Sequence, residues 1–123
     1  MYGNAPEFPT SETAPANPVS PYGVTKLAGE QLGSVYASSF GLSVASVRFS
    51  TVFGTRQRPD MAIQRMISAA LGGTGFRLFG DGRARRDFTF VGDAVSALHT
   101  VADTDGSAAV YNVGARASAA WSN

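Results

Sequence analysis

Cysteine is absent from this sequence, and histidine occurs only once, at position 99. A chain without thiols forms no disulfide bond and offers no thiolate for nucleophilic chemistry. Zinc sites draw on several histidine and cysteine ligands, so a single histidine is too few for such a site. We therefore expect neither a disulfide framework nor a bound metal.

An excess of either charge is also missing, because the formal net charge of the 123 residues is only +1. This balance gives no reason to expect a nucleic acid or a membrane surface as a partner. The sequence shows no signal peptide and no apolar run of membrane-spanning length, and we expect a cytoplasmic protein. Lysine is nearly absent as well: nine of the ten basic residues are arginines, which favour two-point recognition of anions.

Proline is concentrated at the start of the chain, where five of the six prolines lie within the first 21 residues. Residues 1–18 also contain few aliphatic side chains, so we expect an irregular loop there rather than a helix or a strand. A loop of this length is usually a functional segment or a connection inside a larger fold. The sequence therefore indicates the later part of a longer protein.

The first helix is predicted over 21–40. Ser20 can cap its N-terminus, Pro21 suits the first helical position, and Gly41 ends it. One face carries apolar residues that we expect to be buried, namely Val24, Leu27, Ala28 and Val35. The opposite face carries Tyr22, Lys26, Gly29 and Gly33. The two glycines on that face allow either a ligand or a neighbouring helix to approach closely.

The pair formed by Tyr22 and Lys26 is the clearest chemical signal in the sequence. Residues four apart on a helix lie one turn apart on the same face, so the ammonium can approach the phenol. A nearby cation favours the ionised phenolate, which makes the tyrosine a candidate general base. The alternative is an ordinary surface helix with an exposed tyrosine and a solvated lysine.

Beyond the first helix, short strands and helices alternate. Strands are predicted over 42–49, 76–79, 87–91 and 110–113. The segment 50–59 has the composition of a polar connection, and no element is predicted over 115–123.

Two further helices complete the predicted elements. One is capped by Asp60 and ended by Gly72-Gly73, and the other is capped by Asp93 and continues through Val101. The alternation of strands and helices predicts an α/β fold built on a parallel sheet. Because the strands are too few for an independent domain, we expect part of a Rossmann-like doubly wound sheet with a small substrate-binding lobe.

Seven short pieces of the sequence occur together in a known enzyme family. They are Tyr2-Gly3, Pro21-Tyr-Gly-Val-Thr-Lys26 with Glu30, Val47-Arg-Phe-Ser-Thr-Val-Phe-Gly54, Arg58-Pro-Asp-Met61, Phe79-Gly-Asp-Gly82, Arg86-Asp-Phe-Thr-Phe-Val91 and Tyr111-Asn-Val-Gly114. In this order, they resemble the extended short-chain dehydrogenases, and within these the NAD-dependent nucleotide-sugar epimerases and dehydratases. The resemblance covers nearly the whole chain.

This resemblance implies a specific chemistry. In the family, a tyrosinate removes a proton from a sugar hydroxyl while a hydride passes to NAD, and the hydride then returns to the other face of the keto sugar. The resemblance implies that Tyr22 is the general base and that Lys26 binds the nicotinamide ribose and supports the phenolate. It also implies NAD as the cofactor, a UDP-sugar as the substrate, and a homodimer that forms through the Tyr22 helix.

The resemblance also implies contacts with the substrate. Arg86 matches the arginine that binds the diphosphate of the nucleotide sugar, and Phe79 matches a segment that lies against the nucleotide base. Thr51 and Arg58 resemble the pair that binds the sugar carboxylate in UDP-glucuronate 4-epimerases, where a guanidinium is a suitable two-point donor. The alternatives are an Arg86 that pairs with a nearby aspartate, a Phe79 in the core, and an Arg58 that anchors its own loop.

Some parts of the family pattern are not in these residues. The glycine-rich phosphate loop, the acidic ribose-binding residue and the catalytic serine or threonine precede the Tyr-Gly piece in the family, so we expect the isolated chain to be inactive. The resemblance implies the end of an NAD-binding domain over 1–54, a nucleotide-sugar-binding lobe over 55–109 and a return strand with a truncated segment over 110–123. Two alternatives to an epimerase stay open, a nucleotide-sugar 4,6-dehydratase and a non-catalytic nucleotide-binding relative.

Overall fold

The computed structural model describes residues 1–3, 7–77, 85–104, 109–114 and 118–120. Its elements, in chain order, are α1 (Pro21–Phe40), β1 (Ala45–Phe49), β2 (Thr51–Phe53), α2 (Ala62–Gly72), β3 (Arg85–Phe90), α3 (Val91–Ala102), β4 (Ala109–Val113) and β5 (Ser118–Ala120). Helices and strands alternate, which confirms the predicted α/β class. None of the helices in the described ranges is long and apolar enough to cross a membrane.

These elements belong to two compact units that are interleaved along the chain. The first unit contains Met1–Arg48 and Ala97–Val113, and the second contains Phe49–Ser96 and Gly114–Asn123. In the described part of the chain, β1 and β4 form a two-stranded sheet, and β3 lies between β2 and β5 in a three-stranded sheet.

Helix α1 begins and ends where the sequence predicts. The Ser20 hydroxyl accepts a hydrogen bond from the backbone N–H of Gly23 at 3.1 Å, which satisfies one of the free amides of the first turn. Gly41 ends the helix in the left-handed conformation, with φ of 66°, and its N–H donates to the carbonyl of Ala37. The cap, the proline at the helix start and the terminal glycine are therefore all confirmed.

The predicted buried face of α1 is wrong. Val24 and Val35 are 53% and 55% exposed, Ala28 is also exposed, and Leu27 is only half-buried. The residues of α1 that are buried are Gly23 and Ala37. Close packing favours small side chains at the contact, so the face that packs is marked by glycine and alanine and not by the large apolar residues.

The glycines of α1 also differ from one another. A Cβ atom at Gly33 would lie 3.0 Å from Val44 Cγ1, so this glycine belongs to the packed part of the helix. A Cβ atom at Gly29 would have nothing within 4 Å. Of the two glycines predicted beside Tyr22 and Lys26, only Gly29 leaves open space.

The N-terminal loop contains neither helix nor strand in its described residues, as predicted, and it is attached to β4 through Asn112. The Asn112 side chain donates to the carbonyl of Thr10 at 2.8 Å and accepts from the Tyr2 hydroxyl at 2.8 Å. The Asn112 N–H donates to the Glu12 carboxylate at 2.9 Å. This backbone hydrogen bond lowers the pKa of Glu12.

Two strands of the second unit fall in segments where the sequence predicts none. Strand β2 lies in the expected polar connection and pairs in parallel with β3, with Thr51 opposite Phe88 and Phe53 opposite Phe90. Strand β5 lies in the terminal segment and pairs antiparallel with β3. Each has only three residues, too few to show the alternation of apolar and polar side chains from which strands are predicted.

The other strands are displaced from their predicted limits. Strand β1 begins at Ala45 and not at residue 42, and β3 begins at Arg85 and not at residue 87. Phe76 and Arg77 are not part of a strand, and the Phe76 ring lies 5.6 Å from the guanidinium of Arg65 on α2. Residues 78 and 79 of that predicted strand lie outside the described residues.

The two predicted aspartate caps are wrong. Met61 occupies the N-cap position of α2 without a side-chain hydrogen bond, and the Asp60 carboxylate lies 3.1 Å from the Arg58 guanidinium instead. Helix α3 begins at Val91, so Asp93 lies inside its first turn. Acidic side chains are favourable in the first turn as well as at the cap, so sequence alone does not separate the two positions.

Few apolar side chains are fully enclosed in the described part of the chain. Its buried hydrophobic residues are Ala37, Ala69 and Ala94, and no large side chain among the described residues is fully buried. Three methyl groups supply only a small hydrophobic free energy against the conformational entropy that folding removes.

We therefore expect the isolated chain to be at most marginally stable. Urea titration followed by far-ultraviolet circular dichroism should give a broad and gradual loss of helix, and a hydrophobic dye should bind before urea is added. A single steep transition from a monomer that does not bind the dye would contradict this expectation.

The two glycines with different surroundings give a matched pair of variants. In Gly23→Ala, the new methyl would lie 2.9 Å from the Pro18 Cβ atom and 3.4 Å from the Ser20 hydroxyl, so we expect a loss of helix signal at 222 nm. In Gly29→Ala the methyl enters open space and only the helix propensity improves, by about 1 kcal/mol. The helix signal should therefore increase in Gly29→Ala, and an equal response of both variants would argue against the packed position of Gly23.

Candidate active site

Helix α1 places Tyr22 and Lys26 together near its N-terminus. The Lys26 Nζ atom lies 5.2 Å from the centroid of the Tyr22 ring, a distance typical of a cation and an aromatic ring in contact. Both side chains are exposed, and Tyr22 is 71% exposed. The phenol and the ammonium are therefore adjacent and open to a ligand.

The backbone that carries this pair is held on both sides. Ser20 caps the turn that contains Tyr22, and the Thr25 hydroxyl donates to the Tyr22 carbonyl at 2.8 Å. Gly23 is buried against Pro18, where a larger residue would collide. These contacts explain why a small residue directly follows the tyrosine.

A second group of charges lies one turn further along α1. Glu30 accepts from Arg48 through both carboxylate oxygens, from Nε at 2.8 Å and from an Nη atom at 2.5 Å. The two side chains are only 15% and 11% exposed. The hydrogen bonds that Arg48 donates to Glu30 raise the pKa of the guanidinium above its usual range, so Arg48 is charged.

Arg48 also contacts the N-terminal loop. Its second Nη atom donates to the Tyr2 hydroxyl at 2.5 Å and to the Glu12 carbonyl at 3.1 Å, and the guanidinium lies 4.8 Å from the Tyr2 ring centroid. Sequence analysis missed this arrangement, although Glu30 and Arg48 both occur in the family pieces. The sequence does contain one sign of this arrangement, because Arg48 is a charged residue in a mostly apolar strand. A charge in such a position needs a partner.

The residues predicted to contact the substrate lie in the second unit. Thr51 is half-buried at the start of β2, and Arg86 is exposed on β3. Arg58 is 75% exposed at its side chain and donates to Asp60 at 3.1 Å and to the Met61 sulfur at 3.7 Å. No hydrogen bond joins Thr51 to Arg58 in the described ranges, and Phe79 lies outside them.

Of the candidate residues, the structure thus brings Tyr22 and Lys26 into contact. Both lie in the first unit, whereas Thr51, Arg58 and Arg86 lie in the second. The described contacts of Arg58 are those of an arginine that anchors its own loop. No three acidic, histidine or cysteine side chains cluster as a metal-ligand set within the described residues.

Comparison with known proteins gives consistent matches. A family model described as the NAD dependent epimerase/dehydratase family matches residues 1–114. An uncharacterized UDP-glucose epimerase of Bacillus subtilis is 50% identical over 91 residues, which cover 74% of this chain and 29% of that protein. A UDP-glucose 4-epimerase of Mycolicibacterium smegmatis is 37% identical over 117 residues, which cover 93% of this chain and 37% of that protein.

A solved structure shows the same fold. The UDP-glucuronic acid 4-epimerase of Bacillus cereus, in complex with UDP-glucuronic acid and NAD, superposes with a TM-score of 0.90 at 38% identity. The match covers 98% of this chain and 38% of that one. The fold class is therefore Rossmann-like α/β, as predicted.

The chain spans about a third of the length of the relatives that it matches, 29% and 37% for the two curated proteins. Within that span the family match extends from the first residue through Gly114, and it includes the helix with Tyr22 and Lys26. These residues belong to the NAD-dependent epimerase/dehydratase family.

Proposed function

We propose that this chain carries the general base of an NAD-dependent nucleotide-sugar epimerase. The observation that carries the proposal is the contact between Tyr22 and Lys26 on α1, with the ammonium 5.2 Å from the ring centroid. The three relatives described above are named as epimerases, and a dTDP-glucose 4,6-dehydratase of Streptomyces griseus, 33% identical over 93% of this chain, keeps dehydration as the second candidate reaction. A protein that only bound nucleotides would have no use for a phenolate beside an ammonium.

In the proposed reaction, Tyr22 removes the proton from the sugar hydroxyl at C4, and it returns a proton to the oxygen after the sugar has turned over. Lys26 favours the phenolate form of Tyr22 through its positive charge, and it donates hydrogen bonds to the ribose hydroxyls of the cofactor. When bound, NAD would accept the hydride that leaves C4 of the sugar. The reduced cofactor would then return this hydride to the opposite face of the keto sugar.

The described residues fit such a cofactor. Tyr22 and Lys26 are both exposed, and the open space at Gly29 lets a ligand approach the same face of α1. A ribose that covers Lys26 removes water from the ammonium, and hydrogen bonds to the ribose hydroxyls and to the phenolate compensate for this loss.

A UDP-sugar is the proposed substrate, with Arg86 on the diphosphate and Phe79 against the base. Thr51 and Arg58 are proposed to bind a sugar carboxylate, which would make UDP-glucuronate the preferred substrate. The ion pair between Arg58 and Asp60 competes with this role, but it costs little to break, because side-chain exposures of 75% and 66% place it in water.

A homodimer through α1 is the proposed assembly. Four exposed apolar residues form one stripe along α1, at spacings of four, four and three residues, namely Val24, Ala28, Leu32 and Val35. A contiguous apolar patch on a protein surface typically marks a site where another surface binds. A second copy of the same helix supplies such a surface by symmetry.

The role of Tyr22 is tested in the complete enzyme, by which we mean this chain joined to a glycine-rich cofactor-binding half. Tyr22→Phe deletes the base and little contact area, so kcat should fall about 100-fold or more while binding of the nucleotide sugar is retained. Tyr36→Phe changes an exposed tyrosine elsewhere on α1 and should leave turnover intact. Wild-type turnover in Tyr22→Phe would place the base elsewhere.

The role of Lys26 is tested in the same assay. Lys26→Met removes both the hydrogen bonds to the ribose and the charge beside Tyr22, so kcat should fall and NAD should be released more readily on gel filtration. Unchanged NAD retention would argue against the ribose contact, even if turnover fell.

The choice of sugar is tested with Arg58→Leu. If Arg58 binds the carboxylate, the ratio of kcat/KM for UDP-glucuronate over UDP-glucose should fall roughly 10- to 100-fold, because a charged hydrogen bond contributes about 1.5–3 kcal/mol. If Arg58 only anchors its loop through Asp60, activity on both sugars should fall together. An unchanged ratio would thus reject the uronate assignment and leave the epimerase assignment intact.

A further inference from the structure

Lys26 has two possible partners at a distance of one helical turn. Tyr22 lies four residues before it and Glu30 four residues after it, and side chains four apart on a helix face one another. A carboxylate attracts an ammonium more strongly than a neutral phenol does. A free Glu30 would therefore compete with Tyr22 for the single lysine.

Glu30 is not free. Both of its carboxylate oxygens accept from Arg48, at 2.8 and 2.5 Å, and the carboxylate is largely buried. Within the described ranges, no carboxylate lies within ion-pair distance of Lys26, and its ammonium is 5.2 Å from the Tyr22 ring centroid.

Arg48 is itself fixed in place. Its remaining donors contact the Tyr2 hydroxyl and the Glu12 carbonyl of the N-terminal loop. The Glu12 carboxylate accepts from the N–H of Asn112, on the other side of that loop. The two carboxylates of this network, those of Glu30 and Glu12, thus each already have a partner.

We propose that Arg48 is a positioning residue for Lys26, because it occupies both oxygens of Glu30 and so leaves the ammonium to Tyr22. This inference rests on the proposed roles of Tyr22 and Lys26. Arg48 does not touch the reacting atoms, and its effect on the chemistry passes through Glu30.

The test uses the complete enzyme and compares Arg48→Met with the double variant Arg48→Met/Glu30→Gln. In Arg48→Met the released carboxylate should draw Lys26 away from Tyr22. The acidic limb of the pH profile of kcat/KM, where activity falls as the pH is lowered, should then move to higher pH, with a loss of activity of roughly 10-fold on that limb. In the double variant no carboxylate competes, so the limb should return to its wild-type position.

Stability separates this effect from a purely structural one. Both variants lack the Arg48 contacts, so both should unfold at a lower temperature than the wild type. A purely structural role would lower kcat in both variants and leave the acidic limb of both unmoved. That result, or a failure of the double variant to restore the limb, would overturn the proposal.

If Arg48→Met does not fold, Arg48→Lys, which reaches only one carboxylate oxygen, should show a smaller shift in the same direction.

A readout without turnover separates this proposal from the proposed function. Absorbance titration near 295 nm of each protein, minus that of its own Tyr22→Phe counterpart, follows the ionisation of Tyr22 in the resting enzyme. The signal should appear at higher pH in Arg48→Met than in the wild type, and the double variant should match the wild type. If Tyr22→Phe is fully active, the proposed role of Tyr22 as general base fails, while this titration still decides the role of Arg48.

Discussion

The contacts of Arg48 constrain the first unit more than any other interaction in the described residues. One guanidinium joins α1 through Glu30, the N-terminal loop through Tyr2 and Glu12, and its own strand β1. Tyr2 and Glu12 then contact Asn112 of β4, so four segments distant in sequence meet around one charge. Loss of one partner in a largely buried ion pair typically costs about 3–5 kcal/mol, which is a large fraction of the stability of a small domain.

In the first unit, this polar centre is accompanied by few buried apolar side chains. The described residues bury only small hydrophobic side chains, and the large ones on α1 remain exposed. Hydrogen bonds in a charged network depend on direction, so they fix how α1 lies on β1, whereas apolar packing would tolerate small rotations of the helix. A helix that carries the proposed catalytic pair would benefit from this restriction, because proton transfer requires donor and acceptor at hydrogen-bond distance.

The sequence predicted local features well and distant ones poorly. The limits of α1 follow from Ser20, Pro21 and Gly41, whose effects extend only over neighbouring residues, and the structure confirms them. The buried face of α1 depends on which residues oppose the helix, and the hydrophobic pattern pointed to the wrong side. Strands β2 and β5 exist because β3 offers them a pairing edge, a fact that no window of a few residues contains.

The candidate site divides in the same way. Tyr22 and Lys26 are four residues apart on one helix, so their contact could be predicted from spacing alone. Glu30 and Arg48 are 18 residues apart, one on a helix and the other on a strand. The family motifs contain both residues but do not show that they are in contact. The roles of Thr51, Arg58, Phe79 and Arg86 come from family resemblance and remain predictions.

The interleaving of the two units has a consequence for how such proteins diversify. The chain enters the second unit at Phe49, leaves it after Ser96, and returns at Gly114. A single recombination crossover therefore cannot exchange either unit intact between two related genes, because any one cut divides a unit into parts from different parents. Changes in either unit of this architecture are therefore expected to arise mainly from point substitutions, and the shuffling of whole modules, common among proteins built from consecutive domains, is largely closed to it.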